Sequence, residues 1–332
     1  MLRVVQLRHP DHGRRVAIVD EPRLRLVRDH QSAYDAATEA IAAGTKLATL
    51  LSANATDETL EYDEIYQGRS PWTLLSCFDH PVEPARCVVT GTGLTHKASA
   101  TMRQNMHGKP ADLTDSMRMY ALGLEGGRPA AGRAGASPEW FYKGNGHRLR
   151  AHNESLDVPA HADDGGEEAE IAGCYIIGRE GTPYRVGLAQ GNEFSDHVHE
   201  SKNYLYLAES KLRTCSIGPE LVINADFTEV RGTSRILRSG ETVWEGQLAS
   251  GEKWMCHTLA NIEHHHFKHA DHRTPGDAHV HFLGADEFSF KDRLELRDGD
   301  VMQIAFEPFG RPLRNPIRVE RSPQRFVAVT EL

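Results

Sequence analysis

The chain has 332 residues, carries 38 Lys and Arg against 47 Asp and Glu, and has a formal net charge of −9. That length is enough for a full core and about two domains. The acidic balance removes the electrostatic basis for nucleic acid or an anionic membrane as partner, and no apolar run approaches the roughly 18 residues that cross a bilayer.

Met1 to Arg8 contains no apolar core of a signal peptide. The five cysteines, Cys77, Cys87, Cys174, Cys215 and Cys256, are odd in number, widely spaced and without a Cys-x-x-Cys pair. They predict buried, inert thiols in a cytoplasmic protein.

Residues 1–84 read as a small α+β domain and 85–332 as a second, larger one. Arg3–Leu7, Arg15–Val19 and Leu24–Val27 alternate as strands, with a turn at Pro10–Gly13. Ser32–Leu51 is Ala-rich with apolar residues near helical spacing and predicts one helix; Asp63–Gly68 predicts a loop and Thr73–Leu75 a short strand. Pro81–Pro84 marks the boundary, after which Ala85–Thr90 predicts a buried strand. The Gly91-Thr92-Gly93 that follows lacks the third glycine and the βαβ context of a dinucleotide site. From 97 to 137 a helix and then a mobile loop, Gly126–Ser137, are expected, the loop serving as a lid or subunit contact.

Beyond Pro138 short strand patterns dominate. Glu139–Lys143 leads into a Gly144-Asn145-Gly146 turn, Ser201–Leu212 predicts a helix, and Leu221–Ile223 and Thr228–Arg231 predict strands. Arg235–Arg238 and Thr242–Glu245 flank a Ser239-Gly240-Glu241 turn as a hairpin. Lys253–His269 predicts a helix, and Ala278–Leu283 and Val301–Phe306 predict strands. Strands with helices inserted between them, and no regular βαβ alternation, indicate an α+β fold on a rolled, barrel-like mixed sheet.

The chemistry concentrates around a β-prone run entered by Glu168 and Glu170, followed about twenty residues later by Glu193 in a Gly191-Asn192-Glu193-Phe194-Ser195 turn. Two residues apart on a strand, the first two carboxylates share a face. Three convergent carboxylates repel one another unless a cation lies between them, and an all-oxygen set suits Mg²⁺, Mn²⁺ or Ca²⁺ rather than zinc. The competing reading is a strand that begins with ordinary exposed acids.

The histidines offer a rival site. His197-x-His199 and His279-x-His281 are each two apart, and the first imitates the opening of a cupin metal motif, but its glutamate, Glu200, comes at once rather than several residues on, and no glycine follows. His264, His265, His266, His269 and His272 cluster at helical spacing and read best as a solvated face or subunit contact. No Gly-x-Ser-x-Gly elbow or phosphate-binding loop occurs. Lys143, between aromatics and a glycine turn, and Lys211, ahead of a Gly-Pro turn, are candidate partners for an anionic substrate, each set against an ordinary surface cation.

The order of these features over residues 85–319 resembles the fumarylacetoacetate hydrolase superfamily. Gly93-Leu94-Thr95-His96 is similar to its Gly-Leu-Asn-Tyr turn, and Phe141-Tyr142-Lys143 to its aromatic-aromatic-Lys segment. Glu168-Ala169-Glu170-Ile171 is similar to its Glu-Ala-Glu-Leu strand, and Gly191–His197 to its Ala-Asn-Asp-Val-Ser-Ala-Arg segment. Ser210-Lys211 resembles the segment with its active-site lysine. Pro275–Asp277, Gly284 and Gly299-Asp300 resemble its closing strands.

The resemblance implies Glu168, Glu170 and Glu193 as magnesium ligands, Lys143, Lys211 and His96 as catalytic groups, and Thr95, Ser99, His197 and Gly284 as substrate contacts, in a homodimer or larger homo-oligomer. The sequence also departs from the pattern. Ser99 stands where the hydrolases carry the histidine that activates water, His96 replaces a tyrosine, Glu193 replaces an aspartate and His197 an arginine. The match is therefore nearer to 2-keto-3-deoxy sugar-acid dehydratases, which implies elimination on a pentonate in sugar-acid catabolism. C–C hydrolysis of a 2,4-diketo acid and non-catalytic sugar-acid binding are the alternatives.

Overall fold

The computed structural model describes residues 1–107 and 114–332. The N-terminal strands are β1 (Leu2–His9), β2 (Gly13–Asp20) and β3 (Arg23–Val27), antiparallel in sequence order. The Ala-rich stretch is two helices rather than one. Ser32 caps α1 (Ala33–Ala42) by accepting from the Asp35 N–H, and the chain then turns through Gly44 at φ 61° into α2 (Leu47–Ala53). A strand not foreseen, β4 (Ala55–Glu61), completes the meander. Its acidic residues lie on an exposed edge and so carry no apolar alternation. The expected loop at 63–68 begins instead with α3 (Tyr62–Tyr66), which buries Tyr62, Ile65 and Tyr66, and β5 (Thr73–Leu74) pairs back on β1.

After β6 (Cys87–Gly91) come α4 (Lys97–His107) and α5 (Asp115–Gly126); the helix expected across 108–113 falls outside the described residues. The 126–137 stretch, expected to be a mobile loop, is held down. Ala136 N–H donates to Gly126, Gly135 N–H to the Asn261 side chain, and Arg128 to the Met255 carbonyl. β7 (Phe141–Asn145), β8 (Leu149–Arg150) and β9 (Leu156–Val158) lead to the long hairpin of β10 (Ala169–Ile177) and β11 (Pro183–Asn192).

The helix expected at 201–212 is displaced and divided. α6 (His197–Lys202) is capped by Asp196, and after a 3₁₀ turn comes α7 (Leu207–Ser210). His197-x-His199 therefore lies on a helix, where residues two apart do not share a face, and the cupin imitation fails. β12 (Cys215–Ile217), β13 (Leu221–Ile223), β14 (Val230–Arg238) and β15 (Glu241–Ser250) follow. The helix expected from Lys253 starts only at the Thr258 cap, as α8 (Leu259–Phe267). β16 (Ala278–Phe282), β17 (Val301–Phe306) and β18 (Leu313–Val319) end the fold.

Among the described residues the strands form two open sheets, one of thirteen strands and one of five, without closing into a barrel. The large sheet runs β4-β3-β2-β1-β13-β11-β10-β16-β6-β7, so β1 joins the N-terminal meander to the site-bearing strands through β13. The smaller sheet runs β15-β14-β17-β18-β9. All nine residues of β10 and all five of β16 are buried, as befits strands covered on both faces. One apolar cluster covers the face toward α1 and α2, with Val280 and Phe282 of β16 among its members. A second, with Ile171, Leu188, Ile304 and Phe306, fills the space between the sheets. Phe282→Ala at this fully buried position should cost about 3–5 kcal/mol, read by urea unfolding.

Candidate active site

The hairpin register builds the site. Ala169 pairs with Asn192 and Glu170 with Gly191, so Glu193, one residue past the end of β11, lies beside Glu168, one residue before β10. The Glu193 N–H donates to the Glu168 carbonyl at 2.9 Å, and a bridge between Gly166 and Ser195 extends the pairing. Carboxylate oxygens of Glu168, Glu170 and Glu193 all fall within 4.8 Å of one another, and all three residues are buried. They are not the exposed acids of the competing reading.

Two lysines stand among them. The fully buried Lys143 Nζ pairs with Glu193 Oε1 and donates to the carbonyls of Phe194 and Lys211, at 2.8 and 2.9 Å. Lys211 Nζ donates to Glu168 Oε1 at 2.5 Å, Glu193 Oε2 at 2.6 Å and Ser195 Oγ at 3.1 Å, and lies 4.7 Å from the centre of the Phe141 ring. Burial would lower the Lys211 pKa, but the charges of Glu168 and Glu193 outweigh it and hold the group as an ammonium.

The carboxylates divide accordingly. Burial would raise Glu168, but Lys211 and the His197 hydrogen bond hold it well below the usual range. Glu193 is raised to about 7 by burial and by Glu168, against the opposing pull of Lys143 and Lys211. Glu170 has no cation in direct contact. Its Oε2 accepts from the Gly284 N–H at 2.7 Å, and burial with two neighbouring carboxylates pushes it well above the usual range. An all-oxygen, buried set with one uncompensated member is a fit for a hard divalent cation.

Other groups expected from the sequence lie nearby. His197 Nε2 is 3.0 Å from Glu168 Oε1; burial would lower this imidazole, but Glu168 raises it to about 9. Its ring packs against Phe288 and Phe290 and passes Gly166, where a Cβ would approach Nδ1 to 2.2 Å. Gly284, at φ 102°, leaves no room for a side chain, since a Cβ would meet Thr95 Oγ1 at 1.9 Å. Thr95 Oγ1 donates to the Leu283 carbonyl and touches His96 Nδ1 at 2.9 Å. His96 is buried behind this contact, held neutral by burial with its pKa near 4, and its Nε2 has no partner.

A narrow cleft opens onto Glu168, Glu170 and Lys211, walled by Ser99, Met102, Arg103, Glu200, His197 and Phe288. Thr95, His96, Lys143 and Glu193 are not in its wall. A larger groove of about 1230 Å³ shares Met102 with this cleft.

Sequence reasoning missed the second charged cluster in this wall. Arg103 donates to Glu139 Oε1 at 2.6 Å, with Nε 2.8 Å from Glu200 Oε1, and the Tyr204 hydroxyl reaches Glu139 at 3.3 Å. Arg103 carried no motif. Glu200 was visible only as the acid that follows His197-x-His199 too soon for a cupin.

The histidine cluster is not one solvated face. His266 is buried and contacts His279 at 3.0 Å, His281 is fixed between Thr90 and Thr92 at 2.7 Å each, and His264 and His269 remain exposed. Among the described residues only the three glutamates bring metal-ligand atoms together. The five cysteines are all buried and unpaired, as expected.

No family model matches the chain. It is 27% identical over 179 residues to a probable 2-keto-3-deoxyxylonate dehydratase of Haloferax volcanii, covering 52% of this chain and 58% of that protein. Its structure is similar to apo 2-keto-3-deoxy-D-arabinonate dehydratase, at 18% identity and a TM-score of 0.70 over 96% of this chain and 100% of the other. The same dehydratase complexed with magnesium and 2,5-dioxopentanoate gives 0.69 at equal identity and coverage. The 5-carboxymethyl-2-hydroxymuconate delta-isomerase of Mycobacterium smegmatis gives 0.57, again at 18% identity and the same coverage. The fold expected from the family resemblance is borne out by these neighbours. Among the described residues no helix is long and apolar enough to cross a membrane.

Burial holds His279 and His281 near pKa 3, while an unfolded imidazole titrates near 6.5. Below that pH the unfolded chain takes up protons the folded chain refuses, so stability falls as pH drops. Between pH 7 and 5 the loss should be roughly 2 kcal/mol for each of the two, read by urea unfolding, and replacing both with glutamine should flatten the slope.

Proposed function

We propose that the chain is a magnesium-dependent hydro-lyase that removes water from a 2-keto-3-deoxy sugar acid, a 2-keto-3-deoxypentonate yielding 2-oxoglutarate semialdehyde. The observation that carries this reading is the buried glutamate trio, whose uncompensated member, Glu170, faces the cleft. The likeness of fold to a sugar-acid dehydratase over nearly the whole chain supports it. Ser99 in the cleft wall, with its hydroxyl committed to the His96 carbonyl at 2.9 Å, supports elimination over attack by water.

Glu168, Glu170 and Glu193 would hold magnesium; Mn²⁺ and Ca²⁺ share its preference for oxygen. The bound ion would polarise the 2-keto group and make the adjacent C3 hydrogen acidic. Lys143 fixes the Glu193 carboxylate from behind, since its three acceptors all lie in the protein wall. Lys211, whose three N–H groups are held by Glu168, Glu193 and Ser195, would draw the substrate carboxylate into the cleft by its charge, and His197 orients Glu168. The Gly284 N–H orients Glu170, and Thr95 supports that turn. Met102 and Phe288 add apolar surface to the cleft wall. His96, walled off from the cleft, is a support for Thr95 in this reading. The five unpaired thiols suit a reducing cytoplasm. A homodimer is part of the same proposal.

Purified protein with Mg²⁺ should convert 2-keto-3-deoxypentonate to the semialdehyde and leave the 4-keto analogue intact. Pyruvate and glycolate from the analogue would establish the hydrolase instead, and turnover of neither would leave a binding protein. Glu170→Gln should lower turnover by more than the roughly 10–100-fold typical of losing a group that merely supports a metal ligand. Full activity in that variant would overturn the carboxylate site.

A further inference from the structure

An elimination needs a group in the cleft that accepts a proton and is not spent on the ion or on the scaffold. Lys143 is outside the cleft wall, and Lys211 Nζ already donates to three oxygens. His197 Nε2 is committed to Glu168, and the Ser99 hydroxyl to the His96 carbonyl. Glu200 remains. It is 2% exposed, belongs to the cleft wall beside Glu168 and Glu170, and its Oε1 accepts no hydrogen bond. Arg103 Nε comes within 2.8 Å of that oxygen as an ion pair, but without the alignment of a hydrogen bond. A buried carboxylate oxygen with a cation beside it but no aligned hydrogen bond keeps room to accept one from a ligand.

We infer that Glu200 is the proton carrier of the elimination, with Arg103 as its positioning residue; the inference rests on the dehydratase reading. The Glu200 carboxylate takes the C3 hydrogen as a proton, and the C3–H electron pair forms the C2–C3 double bond of an enolate. As the 2-keto group re-forms, that pair shifts to make the C3–C4 double bond and the C4–O bond breaks. The leaving hydroxide takes the proton back from Glu200 and departs as water. Substrate has become an unsaturated 5-hydroxy-2-keto acid plus water, and Glu200 is a carboxylate again. Isomerisation of that product by hydrogen transfer from C5 gives the semialdehyde without gain or loss of atoms. Arg103 is fixed by its 2.6 Å bond to Glu139, and Asp196 anchors the start of α6 by accepting from the His199 N–H and from Arg213. The carboxylate is therefore carried on rigid supports.

The test separates proton abstraction from loss of water. The probe is 5-hydroxy-2-oxopentanoate, which lacks the C4 hydroxyl, incubated in D₂O with Mg²⁺-loaded protein while deuterium entry at C3 is followed by proton NMR. Wild type should exchange C3. Glu200→Gln should lose exchange and dehydration together by at least about 100-fold. Its calorimetric Mg²⁺ affinity and melting temperature should stay close to wild type. Glu200→Asp, with a shorter carboxylate, should retain measurable exchange, which keeps the test alive should the glutamine variant misfold. Exchange in Glu200→Gln within about threefold of wild type would overturn the assignment. Wild type that exchanges C3 but dehydrates nothing would overturn the dehydratase reading alone, with the loss of exchange in Glu200→Gln still supporting the proton role.

Discussion

The pairing of Glu168 with Glu193 across the β10–β11 hairpin is the constraint on which the site depends. Burying charge is expensive, and removing one partner of a buried set leaves the others uncompensated. Here Lys211 bridges both carboxylates, Lys143 braces one from behind, and His197 holds the other. The chain must therefore bring β7, the turn after α7 and the start of α6 to one end of one hairpin. The third glutamate is the exception. Glu170 has a backbone N–H but no cation of the described residues in direct contact, so its charge must be neutralised by a proton or by a bound cation.

That asymmetry connects the scaffold with the proposed chemistry. Lys143 braces its carboxylate from outside the cleft, whereas Lys211, His197, Arg103 and Glu200 belong to its wall. The two charged clusters are separate, one centred on Lys211 and the other on Arg103, and each keeps one carboxylate short of partners, Glu170 in the first and Glu200 in the second. A substrate between them would meet the ion on one side and a proton acceptor on the other. Burial of these groups strengthens every electrostatic interaction among them.

Elsewhere the same burial produces the opposite outcome. His266 packs against His279 and His281 of β16, among the described residues no carboxylate hydrogen-bonds these three, and burial keeps them neutral. The N-terminal strands likewise serve the scaffold. Through β13 they continue the sheet that carries the site. Tyr62 of α3 and Arg311 both hydrogen-bond Glu220, just ahead of β13, which locks this end of the sheet to the C-terminal region.

Much of this was legible in the residues themselves. Period-two alternation placed most of the strands; β10 was readable from its apolar run beyond Glu170, and β16 from its Ala-His-Val-His-Phe alternation. Strands without that signal, such as the exposed acidic β4 and the short β9 and β12, were not readable. Helix lengths were overestimated where a glycine turn, as at Gly44, or a late cap, as at Thr258, interrupts the composition.

Glu168, Glu170 and Glu193 could be singled out because their spacing around two strand patterns is a local property, and Lys143 and Lys211 because each stands beside an unusual turn. What only the tertiary structure decided is the company these groups keep. It placed both lysines in direct contact with the glutamates, and it buried His96 away from the cleft. It also brought Arg103, Glu139 and Glu200 together from three separate segments. The physical reason is that charge pairing in a buried site is set by distances between elements remote in sequence, which no periodicity encodes.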